Sequence, residues 1–369
     1  MNLRLRGSEC DCIEWKLNPF KVGKIFWKPK KRKLEFKKSE ISLSIPYRVA
    51  PIILDLSRFS PTGVQQNSYG AGELSLAVNP GLELSIELLK KPEITIEGTN
   101  RGAVIMHMIL IFRKLIGKDF GVRIKVKEND KLTHMGLGTT PTLFSGVAIG
   151  INALLGKPFK EEELAMLVSF NYGEEFSESK EYLVPGLTTG GAFWNSLKGG
   201  VTLVSGSYQL VFNDKLEGDP FVLIGIPRKK EKDVQNAEKG FEIPIMDLVR
   251  KYDRFDAGKI CYWTLMNLLP AIKLRKIKEI GEIIWDVNLN TAKAFPPMIK
   301  HKSFESFPLM TELYSQGNEI VFLSSAGPSI VTVTSNKKRA KKIYEKYNFD
   351  VFEAKLNNTG IILKENLSA

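Results

Sequence analysis

A glycine- and hydroxyl-rich turn that runs into an apolar helix is the stretch whose residue types most directly suggest chemistry. It occupies residues 134–155, HMGLGTTPTLFSGVAIGINALL. Glycines let the backbone approach a ligand closely, threonine hydroxyls add donors, and the N-terminus of a helix favours an anion. We therefore predict a phosphate-binding loop; its residues are Gly136, Leu137, Gly138, Thr139 and Thr140. An ordinary loop before a helix is the competing interpretation, because short glycine motifs recur by chance.

Two elements must position this loop. The segment 121–129, GVRIKVKEN, alternates apolar and polar residues as a half-buried strand does. After the turn, apolar residues recur every fourth position from Leu143 to Leu155, which predicts a helix. Gly146 and Gly150 lie on that helix and suit close packing. A strand that leads through a glycine turn into a helix is the context that a phosphate loop needs.

Predicted strands and helices alternate along the rest of the chain. In the first half, strands are predicted at 41–59, 74–78, 82–88 and 93–98, helices at 101–116 and 161–173, and a glycine turn, short helix and hairpin within 187–212. In the second half, strands are predicted at 221–227, at both ends of 319–335 and within 350–364, and helices at 257–294, 303–317 and 337–348. Pro270 is the expected break of the long helical region. The pattern predicts an α+β fold with layers in both halves.

The chain divides into three parts by this pattern. Residues 1–40 form an N-terminal extension with short strands predicted around 12–17 and 24–28. An N-terminal domain is predicted at 41–215 and a C-terminal domain at 216–369, because the sequence between Asp214 and Asp219 is polar and turn-forming.

The bulk composition narrows the class of protein. The chain has 369 residues, a net charge of +12 and 43% hydrophobic residues, and no apolar run approaches a membrane span. The N-terminus lacks the apolar stretch of a signal peptide, so a cytoplasmic protein with no membrane partner is expected. Three cysteines fit a reducing compartment, and the three histidines are not spaced as zinc ligands. A structural or catalytic metal cage is therefore not expected.

A basic run at 28–38, KPKKRKLEFKK, has Trp27 beside it and Phe36 within it. Such a run could bind a nucleic-acid backbone. A solvated strand pair or loop is the favoured interpretation, because no recognised nucleic-acid module accompanies the run. Nucleic acid is accordingly not an expected partner.

An acidic segment follows the second helix, with Glu174, Glu175, Glu178 and Glu181 close together. These carboxylates could hold a magnesium ion. A solvated acidic turn is favoured, because nothing in the spacing fixes them at ligand geometry.

Three short motifs together resemble a known superfamily. They are PYRVAPIILDL at 46–56, HMGLGTTP at 134–141 and SSAGPSIV at 324–331. Their order and spacing resemble the galactokinase, homoserine kinase, mevalonate kinase and phosphomevalonate kinase (GHMP kinase) superfamily. Within it they are most similar to the archaeal β-ribofuranosylaminobenzene 5′-phosphate synthase family. The resemblance covers residues 41–369 and implies a two-domain fold with the phosphate loop in the N-terminal domain and a ferredoxin-like α+β C-terminal domain.

Individual positions carry this resemblance. The matched residues are Pro46, Arg48, Asp55 and Leu56 in the first motif, His134, Gly136, Leu137 and Gly138 in the second, and Ser324, Ser325, Gly327 and Pro328 in the third. The segment NLLPAI at 267–272 is similar to the family's helix in this region. The chain departs from the family at Ala50, where a histidine is typical, and at Pro185 and Thr188, where basic residues are common.

One position separates the kinases of this superfamily from the synthase. In mevalonate-type kinases a serine-glycine-x-aspartate stretch places an aspartate at the substrate hydroxyl. Here Thr189, Gly190 and Gly191 fill the first three places and Ala192 the fourth. Alanine cannot take a proton, and a positioned carboxylate is one standard part of phosphoryl transfer. The synthase family has a small residue there, so this position favours the synthase.

The resemblance implies a reaction and roles for residues. Phosphoribosyl pyrophosphate would join to a 4-substituted benzoate with loss of carbon dioxide and pyrophosphate, as in the synthesis of a methanopterin-type cofactor, with Mg²⁺ as cofactor. Arg48 would lie near an anionic substrate, Asp55 would hold magnesium or orient Arg48, and His134 would act as general acid or phosphate donor. The implied substrate-binding positions are Thr189, Gly190, Gly191, Ser324, Ser325 and Gly327.

A purely structural role stays an alternative for each of these residues. Arg48 could be a structural ion-pair partner, Asp55 a turn carboxylate, and His134 a loop residue that caps the turn. The rival functions are an ATP-dependent small-molecule kinase of the same fold and a basic nucleic-acid-binding protein. The partners implied are a phosphorylated small molecule and an aromatic acid, and the sequence does not decide whether the chain forms a homodimer.

Overall fold

The computed structural model describes residues 18–58, 62, 70–175, 180–218, 220–228, 243–294 and 305–364, with the backbone alone for 243–251. The strands of the first half are β1 (Phe20–Lys21), β2 (Glu40–Ile53), β3 (Glu73–Leu89), β4 (Ile94–Glu97), β5 (Gly121–Lys127), β6 (Gly173–Glu175), β7 (Tyr182–Pro185), β8 (Val201–Val204) and β9 (Leu210–Asp214). Its helices are α1 (Gly102–Ile116), α2 (Thr139–Leu154), α3 (Glu161–Phe170) and α4 (Gly191–Lys198).

The second half contains the remaining elements. Its strands are β10 (Phe221–Pro227), β11 (Ile320–Leu323), β12 (Ile330–Thr334), β13 (Phe349–Leu356) and β14 (Ile362–Lys364). Its helices are α5 (Ile243–Trp263), α6 (Leu269–Lys273), α7 (Ile277–Asn290), α8 (Ser306–Ser315) and α9 (Lys337–Lys346). Within the described part of the chain, none of the helices is both long enough and apolar enough to cross a lipid bilayer.

Most strands belong to one mixed sheet. Its main path runs β11-β12-β10-β13-β3-β2-β14, with β5 and β8 also paired to β3. The long antiparallel pair of β2 and β3 forms the centre of the first half, and β13 joins the two halves by pairing with the middle of β3. A separate small sheet has the order β1-β7-β6.

The second half has a ferredoxin-like topology. Its four strands are antiparallel and lie in the order β11-β12-β10-β13, with helices between β10 and β11 and one helix between β12 and β13. The order in which the chain enters the sheet is therefore the split β-α-β arrangement. The predicted α+β fold, with a ferredoxin-like second half, is confirmed.

Helix α2 is enclosed by the core of the first half. Every residue from Thr142 to Leu154 is buried. A Cβ atom at Gly146 would overlap the side chain of Ile45 on β2, and one at Gly150 would overlap Ile86 on β3. The small residues thus let α2 lie directly on the β2–β3 pair, and this fixes where its N-terminus points.

Three predicted elements differ from the structure. The strands predicted at 74–78 and 82–88 are one strand, β3, because a register shift in β2 between Ile45 and Tyr47 accommodates the Asn79–Pro80 step. The helical region does not break at Pro270, because α5 continues through a π-helical turn, Thr264–Leu268, directly into α6, which contains Pro270. The break follows α6, where Arg275 has a positive φ of 59°.

The strand predicted at 24–28 is wrong. This segment is a loop whose amides at Phe26 and Trp27 donate to Oδ1 of the buried Asn171, so a side chain replaces a strand partner. Between residues 18 and 39, which the structure describes, the strand is β1, Phe20–Lys21. The strand predicted at 12–17 lies outside the described residues. The division into domains at 214–219 stays a prediction, and β14, from the end of the chain, pairs with β2.

Candidate functional site

The glycine loop places free backbone donors at the start of α2. Gly136 and Gly138 have positive φ angles of 80° and 60°, so the chain turns in a way that glycine favours. Among the described residues, none accepts a hydrogen bond from the amides of residues 136–140. These N–H groups lie at the positive end of the α2 dipole, an arrangement that suits an anion, and the phosphate-binding role of the loop stays a prediction.

Arg48 of β2 lies against this loop. A Cβ atom at Gly138 would come within 2.9 Å of Cγ of Arg48, so the absence of a side chain at 138 makes room for the arginine. The amide of Arg48 donates to the carbonyl of Leu137 at 3.3 Å. Nη1 of Arg48 is buried and has no hydrogen-bond partner among the described residues. A buried donor of this kind needs a water or an anion.

The acidic partner of Arg48 is Glu73, at the start of β3. Nε of Arg48 lies 3.3 Å from Oε1 of Glu73, whose side chain is fully buried. Oε2 of Glu73 accepts a hydrogen bond from the hydroxyl of Thr189 at 2.7 Å. A Cβ atom at Gly191 would overlap Oε1, so the turn before α4 sits directly on this carboxylate. Glu73 thus connects Arg48 to the predicted substrate-binding turn at 189–191.

The late serine-glycine turn also meets the glycine loop. Oγ of Ser324 donates to the carbonyl of Gly136 at 2.7 Å and accepts from the amide of Ala50 at 3.1 Å. The amide of Ser325 donates to the carbonyl of Ala50 at 2.9 Å, and Gly327 has a positive φ of 82°. The structure therefore brings together Arg48, the loop, the 189–191 turn and the late turn, which lie far apart in the sequence.

A buried lysine lies behind the same part of β2. Lys293 belongs to a 3₁₀ turn, Ala292–Ala294, and is only 4% exposed. Its Nζ donates to the carbonyl of Ala50 at 3.0 Å and to that of Pro51. Burial lowers the pKa of Lys293 to about 7, although Glu73 acts against that shift. Lys293 is not a predicted site residue, because no local sequence pattern distinguishes it from the other lysines of a basic chain.

Asp253 of α5 is a second buried ionisable group near this lysine. It is fully buried, and Oδ2 accepts a hydrogen bond from the amide of Leu56. Oδ1 has no hydrogen-bond partner among the described residues. Burial raises the pKa of Asp253 to about 7; the nearby charge of Asp55 adds to this shift and that of Lys293 opposes it.

The other two residues assigned catalytic roles lie differently. Asp55 accepts hydrogen bonds from Ser57 and lies 3.2 Å from Nε of Arg58, so the structure pairs it with Arg58 and not with Arg48. His134 is half-buried at the start of the glycine loop, with a positive φ of 58°.

The threonines of the loop face inward. Thr139 and Thr140 are each 3% exposed. The hydroxyl of Thr140 accepts from Nη1 of Arg101 at 3.2 Å, and Arg101 is also paired with Glu128. A buried ion pair of Arg101 and Glu128 therefore lies behind the N-terminus of α2 and holds Thr140 in place.

In the described residues, the basic run at 28–38 and the acidic segment at 174–181 both have side chains packed against, or paired with, the rest of the first half. The basic run packs onto the first half: Trp27 stacks on Phe170 at 6.2 Å, and Arg32 pairs with Glu163. The favoured loop interpretation of that run agrees with this packing. The solvated acidic turn is wrong for Glu175, whose two carboxylate oxygens are buried; burial raises its pKa to about 6. Glu178 lies outside the described residues.

The described residues do not form a metal cage. Histidine, cysteine, aspartate and glutamate side chains in that part of the chain nowhere form a group of three suited to a metal ion. Asp55 and Glu73 are already paired with arginines. Cys261 is a free thiol, and burial raises its pKa. The described side chains thus do not form a site of three or more ligands, and the Mg²⁺ cofactor stays a prediction.

Comparisons with known proteins identify the fold. No protein-family model matches the sequence, and no curated protein matches it either. The structure is similar to homoserine kinase from Cytophaga hutchinsonii, with a TM-score of 0.60 and 18% identity over 90% of this chain and 100% of that one. It is similar to mevalonate diphosphate decarboxylase from Staphylococcus aureus, with a TM-score of 0.61 and 15% identity over 89% and 98% of the two chains.

A third similar structure is galactokinase from Lactococcus lactis complexed with galactose. It has a TM-score of 0.62 and 11% identity, and the match covers 88% of this chain and 95% of that one. At these identities the likeness concerns the fold. The chain has the fold that these three enzymes share.

Proposed function

We propose that this protein is a transferase that joins phosphoribosyl pyrophosphate to a 4-substituted benzoate, with loss of carbon dioxide and pyrophosphate. The observation that carries the proposal is the pairing of acceptor-free amides at residues 136–140 with the buried, unpartnered Nη1 of Arg48. Backbone donors, a helix N-terminus and a guanidinium together suit a polyanionic leaving group. The reaction type also rests on the resemblance of the three motifs to the synthase family.

The proposed reaction needs no general base. The bond between C1 of the ribose and the pyrophosphate oxygen breaks, and its electron pair leaves with pyrophosphate. The aromatic carbon that carries the carboxylate forms the new bond to C1. The electron pair of the carbon–carboxylate bond returns to the ring as carbon dioxide leaves, so no proton needs to be removed.

The turn before α4 supports this choice over phosphoryl transfer. A kinase must release the proton of the attacking hydroxyl, and a positioned carboxylate usually assists that step. Ala192 offers a buried methyl group at this turn. Glu73 is the carboxylate beside it, and its oxygens face Arg48 and the hydroxyl of Thr189. Oε2 accepts from Thr189, and Oε1 lies 3.3 Å from Nε of Arg48 in a buried ion pair, so Glu73 serves as the counter-charge of Arg48 in this proposal.

Roles for the site residues follow from their positions. The loop amides and Arg48 would stabilise the charge that grows on pyrophosphate, which is the main task of the protein in such a step. His134, at the mouth of the loop, would donate to a phosphate. The turns at 189–191 and 324–327 flank the loop and would bind the ribose phosphate and the aromatic acid.

Magnesium is proposed to bind as a complex with the substrate and not as an ion that the protein holds by itself. One solved structure of this fold, 14% identical, is a complex with AMPPCP and magnesium. Magnesium commonly binds phosphates with several waters and one or two carboxylates. Because the described carboxylates do not form a cage, the ion would arrive with the pyrophosphate group.

An ATP-dependent small-molecule kinase is the second candidate. The observation that favours it is the fold, which homoserine kinase and galactokinase share with this chain. The two candidates differ in the phosphate compound that they bind, since only the kinase needs ATP.

A ligand panel tests the proposal. Melting temperatures are measured with magnesium and phosphoribosyl pyrophosphate, ATP, 4-aminobenzoate or a short DNA duplex, because a ligand that binds only the native state raises its melting temperature. We expect stabilisation by phosphoribosyl pyrophosphate and none by ATP. Stabilisation by ATP alone would replace this proposal with the kinase, and a response to the duplex alone would point to nucleic-acid binding.

A further inference from the structure

We infer that Lys293 is a positioning residue of the anion site, which holds the β2 backbone so that Arg48 and the late turn face the glycine loop. Nothing in the sequence motifs points to this lysine, which comes from the turn after α7 in the second half of the chain. The inference rests on the anion site of the proposed function.

The lysine makes its hydrogen bonds to an irregular part of β2. The pairing register of β2 with β3 shifts between Val49 and Ile52, so Ala50 and Pro51 have no partner in β3. Nζ of Lys293 donates to the carbonyls of both residues. Buried carbonyls without a partner are costly, and an ammonium group with several donors can satisfy two at once.

The same short segment holds the late turn. The amide of Ala50 donates to Oγ of Ser324, and the carbonyl of Ala50 accepts from the amide of Ser325. Oγ of Ser324 in turn donates to the carbonyl of Gly136 in the glycine loop. The carbonyl of Ala50 is therefore shared by Lys293 and the late turn, and that of Pro51 is shared by Lys293 and Nδ2 of Asn288. Loss of the lysine removes one of two donors from each carbonyl and loosens the segment to which the late turn is attached.

The charge of Lys293 also belongs to the site. Its ammonium interacts electrostatically with Arg48, which it repels, and with Glu73 and Asp253, which it attracts. Arg48 and Lys293 are the cations of this group, and Glu73 and Asp253 are its acidic residues, so loss of the ammonium leaves less positive charge next to the loop amides. A second cation behind Arg48 raises the affinity of the loop for an anion.

Inorganic pyrophosphate is the probe for the first test, with affinity measured by calorimetry on the full chain. Lys293→Met keeps the apolar stem and removes the ammonium. Lys259→Met is the matched control, because Nζ of Lys259 also donates to a carbonyl, that of Asn290, but on the exposed side of α5. We expect roughly tenfold weaker binding in Lys293→Met and an unchanged affinity in Lys259→Met. Equal affinities in both variants and the wild type would overturn the inference.

The pH dependence of sulfate binding distinguishes this role from a purely structural one. The charge of sulfate itself is constant from about pH 6 to about pH 9, so a change in affinity must come from the protein. The wild-type affinity for sulfate is expected to fall as pH rises through the titration of Lys293. The step should vanish in Lys293→Met, and Lys293→Arg should restore binding without the step, because a guanidinium stays charged. Arg48, Glu73 and Asp253 face Lys293 and His134 lies on the loop, so Asp253→Asn and His134→Gln must retain the step.

The outcomes distinguish the two proposals. If the wild-type protein binds neither pyrophosphate nor sulfate, the anion site itself is wrong and both proposals fall. If it binds both anions and Lys293→Met behaves like the wild type, only the role of Lys293 falls. If Lys293→Met does not fold, Lys293→Arg decides: binding that keeps the wild-type pH step would contradict the inference.

Discussion

The side chains of Arg48 and Glu73 form a buried ion pair, with Nε 3.3 Å from Oε1, in which the arginine is 10% exposed and the glutamate fully buried. The arginine touches the glycine loop on one side, and the glutamate accepts from Thr189 on the other. One ion pair thus joins two loops that the sequence separates widely. A buried pair of this kind is costly to break, because the remaining charge has no compensation.

Glu73→Gln tests the importance of this pair for stability. Glutamine can still accept from Thr189, but it leaves the Arg48 guanidinium buried without a counter-charge. We expect a loss of about 3 kcal/mol in the free energy of unfolding, measured by urea denaturation. Glu83→Gln, which breaks an exposed pair with Lys127, should change stability little. Similar losses in the two variants would show that the buried pair has no special role.

Gly138→Ala tests the contact between the loop and Arg48. The new Cβ would lie 2.9 Å from Cγ of Arg48, at a residue whose φ is 60°. Gly117→Ala introduces the same kind of backbone strain, with a φ of 74° and no atom within 4 Å, so it controls for the strain alone. We expect Gly138→Ala to lose most of the stabilisation by phosphoribosyl pyrophosphate, measured as the shift in melting temperature. A full shift in Gly138→Ala would remove this loop from the anion site.

Ser324→Ala tests the link between the late turn and the loop. The substitution leaves the amide of Ala50 and the carbonyl of Gly136 without their serine partner, at a cost of about 1–3 kcal/mol. Because the turn then no longer holds the loop, the KM for phosphoribosyl pyrophosphate should rise about tenfold. Ser315→Ala, which removes an exposed hydroxyl that bonds to Glu312, should leave the KM unchanged. An unchanged KM in Ser324→Ala would mean that the turn does not support the loop.

Asp253→Asn tests the effect of buried charge on the pH dependence of stability. The pKa of Asp253 in the folded protein is raised to about 7, above its ordinary value of 3.8, so the native state binds this proton more tightly than the unfolded state does. The wild type therefore loses stability as pH rises from about 4 to about 7. Asparagine mimics the protonated form and should stabilise the protein at pH 8, on the order of 2 kcal/mol, but hardly at pH 4.

Asp350→Asn is the control for this pH dependence, because Asp350 is exposed and paired with Arg228. It should not stabilise the protein at either pH. Melting curves at both pH values provide the measurement, and a gain in Asp253→Asn that is equal at pH 4 and pH 8 would contradict the account.

The sequence reveals the parts of the site that lie in local patterns. The glycine loop is visible because a strand, two glycines and an apolar helix follow one another, and Arg48 is visible because it lies in a recognisable motif. Glu73 is not visible, because its role depends on a contact between β2 and β3 and on the turn before α4. Nothing in the segment GELSLAV marks its glutamate as an ion-pair partner.

Lys293 and Asp253 illustrate a second limit. Both come from helical stretches where charged residues usually face solvent, and both are buried because the second half of the chain packs onto β2. The α+β fold class, in contrast, follows from the alternation of predicted strands and helices alone. The break lies after α6 and not at Pro270, because a residue that usually ends a helix here directly follows a π-helical turn through which the helix continues.

The most direct test of the central claim is the identity of the products. The protein is incubated with magnesium, phosphoribosyl pyrophosphate and 4-aminobenzoate that carries an isotopic label in its carboxylate, and labelled carbon dioxide and pyrophosphate are both quantified. The account predicts equal amounts of the two products and a ribosylated aromatic product without the label, with little turnover by Gly138→Ala. Labelled carboxylate that stays intact, together with ATP-dependent phosphorylation of a small-molecule alcohol, would contradict the account and identify a kinase.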